Sequence, residues 1–144
     1  MFRALLFGSA VLALITPLRE ENMSKAVSTN GANADRVFEL RTYYAAPGKL
    51  NALHARFRDH TNKIFQKHGM TIIGFWTPAD PQTADNTLIY LLAFPSKEAA
   101  DKSWKEFRED PDWIKAKTES EKNGKIVEKV ESVFLNPTDY SALK

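Results

Sequence analysis

Between Val37 and Trp76 the apolar positions change period twice. Val37–Tyr44 (VFELRTYY) is rich in residues that suit a pleated surface. Phe38, Leu40, Thr42 and Tyr44 share one face and are expected to be its core side. Val37, Glu39, Arg41 and Tyr43 share the other, a mixture of charge and aromatics. Pro47-Gly48 ends the strand. From Lys49 to His68 the spacing becomes helical: Leu50, Leu53, Phe57, Thr61, Ile64 and His68 form one stripe. Arg56, Arg58, Asp59, Lys63 and Lys67 are expected on the water side. Gly69 is placed to cap the helix in the left-handed region. Thr71–Thr77 then alternates Ile72, Gly74 and Trp76 against Ile73 and Phe75, a strand apolar on both faces.

The turn-rich TPADPQTADN leads to Thr87–Phe94 (TLIYLLAF), a short apolar run closed by proline and predicted to be a strand buried on both sides. Ser96 is an N-cap for a helix over Lys97–Glu109, with Ala100, Trp104 and Phe107 inward. Asp110-Pro111 starts a second, short helix through about Glu121, where Trp113 serves as a packing anchor. Asn123-Gly124 ends it, and Lys125–Leu135 is the last strand, stopped by Pro137.

The order is βαββαβ. The expected fold class is α+β, ferredoxin-like, with a four-stranded antiparallel sheet and its helices on one face. That arrangement leaves the other sheet face bare, although the second and third strands are apolar on both faces. A homodimer through the sheet face is the expected remedy, with Tyr90, Phe75 and Leu92 as candidate buried contacts.

Composition narrows the classes. The chain has 144 residues, 43% of them hydrophobic, which is enough for one domain. It has no cysteine, so disulfides, thiolate metal sites and a cysteine nucleophile are excluded. Arg3 followed by the apolar run Ala4–Ile15 fits a secretory leader, with a cleavage site at Ala32-Asn33-Ala34 or, closer, at Ser24-Lys25-Ala26. An uncleaved anchor and a translation start at Met23 are the competing readings. Residues 1–34 are thus expected to be leader and linker, 35–136 the folded domain and 137–144 a tail. Export to a periplasm or beyond follows if the leader is real, and a cytoplasmic location if it is not. The remaining domain is nearly balanced in charge, so neither nucleic acid nor a stable membrane span is expected.

VFELRTY, PGKL before the first helix, GFW on the second strand and DPDW after the second helix, in that order, resemble the NIPSNAP family of dimeric α/β-barrel proteins. The resemblance runs from about Arg36 to Leu135. It implies the ferredoxin-like fold and a homodimer, and little about chemistry, because the family has no generally accepted catalytic residues.

The three histidines, His54, His60 and His68, all fall on the first helix. His54 and His60 stand roughly 120° apart on a helix turning about 100° per residue, and no local carboxylate completes a set, so no metal is expected. His68 suits the negative helix end, and His60 is a candidate for lining a pocket. Arg41 and Tyr43 lie on the face expected to point away from the helices. There they are able to hold a carboxylate or enolate; the competing reading is an Arg41–Glu39 pair at a dimer rim. Trp76 and Tyr90 are candidates for an aromatic ligand wall, although aromatic strand residues more often serve as core or interface. The expected ligand-binding set is Arg41, Tyr43, His60 and Trp76, between the sheet and the first helix or at the adjoining dimer seam, with no cofactor.

Two function classes follow. One is a dimeric domain that binds an apolar or weakly anionic small molecule or a protein partner. The alternative, by analogy of fold, is a cofactor-independent or haem-linked monooxygenase-like enzyme. A haem enzyme would require His54, His60 or His68 as axial ligand.

Overall fold

The computed structural model describes residues 36–144. The leader, cleavage-site and Met23 readings fall on residues outside that range. Strand β1 is Val37–Ala45. Helix α1 follows in three segments: α-helical Leu50–Arg56, a π-helical Phe57–Thr61, and α-helical Asn62–Lys67. Strand β2 is Thr71–Trp76, and a single short turn of helix, α2, spans Pro81–Ala84 in the loop beyond it. Strand β3 is Thr87–Phe94, helix α3 Lys97–Glu109, helix α4 Pro111–Glu121 and strand β4 Val127–Leu135. All strand pairs are antiparallel, in the order β2-β3-β1-β4. This is the ferredoxin-like α+β arrangement expected from the sequence.

Local chemistry accounts for the element ends. Ser96 Oγ accepts from the Ala99 amide and caps α3. Asp110 Oδ1 accepts from the Asp112 amide and caps α4, with Pro111 in its first turn. Gly69, at φ +72°, takes the left-handed turn between α1 and β2.

The core lies between sheet and helices. Leu53, Phe57, Ile64 and Phe65 of α1 and Ala100, Trp104 and Phe107 of α3 pack on Leu88, Tyr90, Leu92 and Phe94 of β3. Here three sequence expectations are corrected. On β1 the faces are reversed: Glu39, Arg41 and Tyr43 point at the helices, where Trp104 meets Glu39 and Phe57 meets Tyr43. The face carrying Phe38, Leu40, Thr42 and Tyr44 is the one turned away from them. The charge is tolerated inside because each group finds a partner there. Phe38 is nevertheless buried, because the tail beyond Leu135 lies across it: Pro137, Thr138, Ser141 and Leu143 border a hollow with Phe38 and Leu91.

On β2 a bulge between Ile72 and Gly74 breaks the alternation. Ile72 pairs with Leu92 and Phe75 with Tyr90 on the helix side, leaving Gly74 and Trp76 on the other. Tyr90, Leu92 and Phe75 therefore belong to the core and not to the open sheet face. On α1, Arg56 is buried instead of facing water. Helix α4 lies over it, supplying Ser120 and Glu121 as hydrogen-bond partners and Trp113 as a ring beside its guanidinium.

Candidate ligand-binding site

Helix α1 and the edge strand β2 diverge to leave a cleft of about 330 Å³. Its lining combines His54, Arg58 and Asn62 from the helix with Phe57, Phe75 and Trp76 from helix and strand. The three polar residues are four apart. In an unbroken α-helix each such step drifts about 40° around the axis. The π segment takes up the drift, because its wider turn holds one more residue and draws Asn62 back towards the line of His54 and Arg58. The Asn62 amide hydrogen bonds the Phe57 carbonyl, five residues back. The Thr61 hydroxyl donates to the Arg56 carbonyl at 3.2 Å, a bond made within the widened turn itself.

The polar groups are not all satisfied. Asn62 Oδ1 is buried and has no hydrogen-bond partner. Phe57 and Phe75 meet edge to face at 5.7 Å and form an aromatic floor. Trp76, half exposed, folds its ring over Gly74; a Cβ there would sit 2.7 Å from the indole, so only glycine allows that position. A cation, an imidazole, an unpaired amide oxygen and an aromatic wall thus share one opening.

Behind the aromatic floor lies a buried polar cluster. Glu39 accepts from Trp104 Nε1 at 2.5 Å, from Ser132 Oγ at 2.5 Å and from Arg41 Nη1 at 2.6 Å. The Arg41 guanidinium stacks 4.3 Å from the Trp104 ring and 5.6 Å from that of Tyr43. Burial opposes the Arg41 charge, but Tyr90, Tyr43 and Glu39 outweigh it and hold its pKa above the ordinary value. Burial also pushes the Tyr90 phenol well above its usual range, with Tyr43 adding to the effect. The Arg41–Glu39 pair is therefore real, but it sits under α3 and not at a sheet rim.

Of the four residues expected to form the site, Arg41 and Tyr43 are neighbours in this inner cluster, and Trp76 lines the α1–β2 cleft. His60 is exposed on α1. Neither Arg41 nor His60 borders that cleft, and Tyr43 is separated from it by Phe57. Of the cleft's own polar residues, the sequence pattern offers His54 only as a metal or haem ligand, puts Arg58 on the water side and leaves Asn62 unmarked. Their four-residue spacing was the available signal.

The sequence model of the NIPSNAP family matches residues 38–142. The chain belongs to the NIPSNAP family. Solved structures of the same fold include an uncharacterised NIPSNAP-like domain protein from Burkholderia xenovorans, 15% identical, with a TM-score of 0.65 over 75% of this chain and 90% of that one. A NIPSNAP family protein of unknown function from Agrobacterium tumefaciens is 20% identical, with a TM-score of 0.66 over 77% and 96%. SnoaB, a cofactor-independent oxygenase from Streptomyces nogalater, is 11% identical, with a TM-score of 0.53 over 76% and 99%. At these identities the likeness shows the fold alone. No curated protein matches the chain.

Proposed function

We propose that this NIPSNAP domain is a homodimeric binding protein that takes a small, weakly acidic aromatic molecule, such as a phenol, into the cleft between α1 and β2. The observation that carries the reading is Asn62 Oδ1, buried without a partner among the cleft residues. An unmet buried acceptor costs about 1–3 kcal/mol. A ligand hydroxyl donating to it recovers that cost, while Arg58 favours partial negative charge, Phe57 and Phe75 cover the ring face and Trp76 borders the rim. Mostly apolar walls with a few placed polar groups are what small-molecule sites present.

The dimer rests on the sheet face away from the helices. Leu40, Leu91 and Val133 are neighbours across β1, β3 and β4 there, and Val133 and Leu135 are 54% and 41% exposed. Two such faces packed together remove apolar surface from water at about 25 cal/mol per Å². Native mass spectrometry of the purified protein tests both parts. A dimer carrying a copurified aromatic compound is expected; a ligand-free monomer that also fails to bind added phenols overturns the reading.

A further inference from the structure

On the opposite side of Phe57 from the first cleft lies another, of about 410 Å³, between the open edge of the sheet at β4 and helix α4. We infer that this second cleft is a separate binding site for an anionic amphiphile, an alkyl carboxylate with its head at Arg56 and its tail along β4. The reading begins at Arg56. Its side chain is only 3% exposed, yet it lines the cleft. Nη1 donates to Ser120 Oγ at 3.3 Å and to Glu121 Oε1 at 3.2 Å, both long for charged bonds, and Nε is buried with no acceptor. A buried guanidinium held by one partly exposed carboxylate retains donor capacity for a second anion.

The remaining lining supports that ligand class. Lys117 and Lys125 join Arg56, against the two carboxylates of Glu121 and Glu128, while Lys129 borders the cleft but turns its amine to the other sheet face, over the Tyr44 ring. Lys125 and Lys129 have acidic neighbours, Glu128 at 3.6 Å and Glu131 at 2.5 Å. Lys117 has no ion-pair partner among the described residues. The apolar walls are Tyr43, Trp113, Val127 and Val130, and Val130 is 40% exposed. Helices α1 and α3 cover β3 and β1 but leave Val130 of β4 open to solvent; beyond it Ser132 donates to Glu39 and Phe134 lies beneath the Lys97 ammonium. A cationic end with an apolar wall suits a head and a tail together.

The test uses octanoate, with acetate and 1-octanol as controls, titrated into the isotopically labelled protein and followed by NMR at the Trp113 indole and the Val127 and Val130 methyl groups. Octanoate is expected to shift these signals and to bind roughly tenfold or more tightly than either control. Lys117→Glu, an exposed change, is expected to weaken octanoate about three- to tenfold while leaving the amide spectrum folded. Arg56→Met is expected to abolish binding; if it fails to fold, Lys117→Glu alone decides. Equal affinity for 1-octanol, shifts at the Trp76 indole in place of Trp113, or no effect of Lys117→Glu overturns the assignment.

Discussion

Trp104 and Glu39 are joined across the helix–sheet interface by a hydrogen bond of 2.5 Å, indole nitrogen to carboxylate. Glu39 is 1% exposed and accepts from three side chains at once, so its charge is fully partnered. Removing it strands Arg41 in the core. Glu39→Ala is expected to destabilise by about 3–5 kcal/mol, because an unpaired buried charge remains. Trp104→Phe, which keeps an aromatic ring but deletes the N–H donor and leaves a small cavity, should cost about 1–3 kcal/mol. Urea denaturation of both variants checks the order; a Glu39→Ala protein as stable as wild type would contradict it.

That cluster also marks where pattern reading stops. The six main elements, their order and the fold were legible, because their periods, caps and breakers all agree. The side of β1 that faces the helices was not. Alternation sorts residues into two faces, and Glu39 with Arg41 looks like the wet one until Trp104 and Ser132, 65 and 93 residues away, are seen to satisfy it. Arg56 is hidden by α4, which packs over it from 57 or more residues away, and the π turn aligns Asn62 in a way no fixed helical period gives. The bulge at Ile72–Gly74 did the same to Phe75.

A pH dependence follows from the joint of α1, α3 and α4. The buried Asp110 carboxylate accepts from Lys67 Nζ at 2.8 Å and lies 2.6 Å from His68 Nε2, while capping α4. The Lys67 bond first, and then His68, hold its pKa far below the ordinary carboxylate value. A depressed folded-state pKa gives stability that is complete above the unfolded value and fades as pH falls through and below about 4. Asp110→Asn, which keeps a capping oxygen, should cost about 1–3 kcal/mol at pH 7 and flatten this acid-side loss. Thermal midpoints between pH 7 and 3 measure it. Parallel curves for the two proteins would exclude Asp110 as a source.

The open sheet face and the buried one are separable by charge. Val133→Asp should leave the monomer folded, since the site is already half exposed, and shift the dimer to monomer in sedimentation. Tyr90→Asp should instead unfold the chain by about 4 kcal/mol or more, because it places a carboxylate among Phe57, Phe65 and Phe75. A folded Tyr90→Asp monomer would mean that Tyr90 faces a partner after all.

Asn62 separates stability from binding. Asn62→Leu removes an unmet buried acceptor, so the free protein should keep its melting temperature or gain up to about 1 kcal/mol. The same change should weaken phenol binding about tenfold. Destabilisation with binding intact would show that the amide is satisfied inside the fold and has no ligand to meet.

The central claim, a weakly acidic aromatic ligand held between α1 and β2, is tested most directly by titrating phenol into wild-type protein and Arg58→Ala and following the His54 ring and Trp76 indole signals by NMR. Arg58 is exposed, so its loss should not disturb the fold. The account predicts saturable shifts at both residues in the wild type and at least about fivefold weaker binding in the variant. Unshifted His54 and Trp76 signals, or equal affinity in the two proteins, would contradict it.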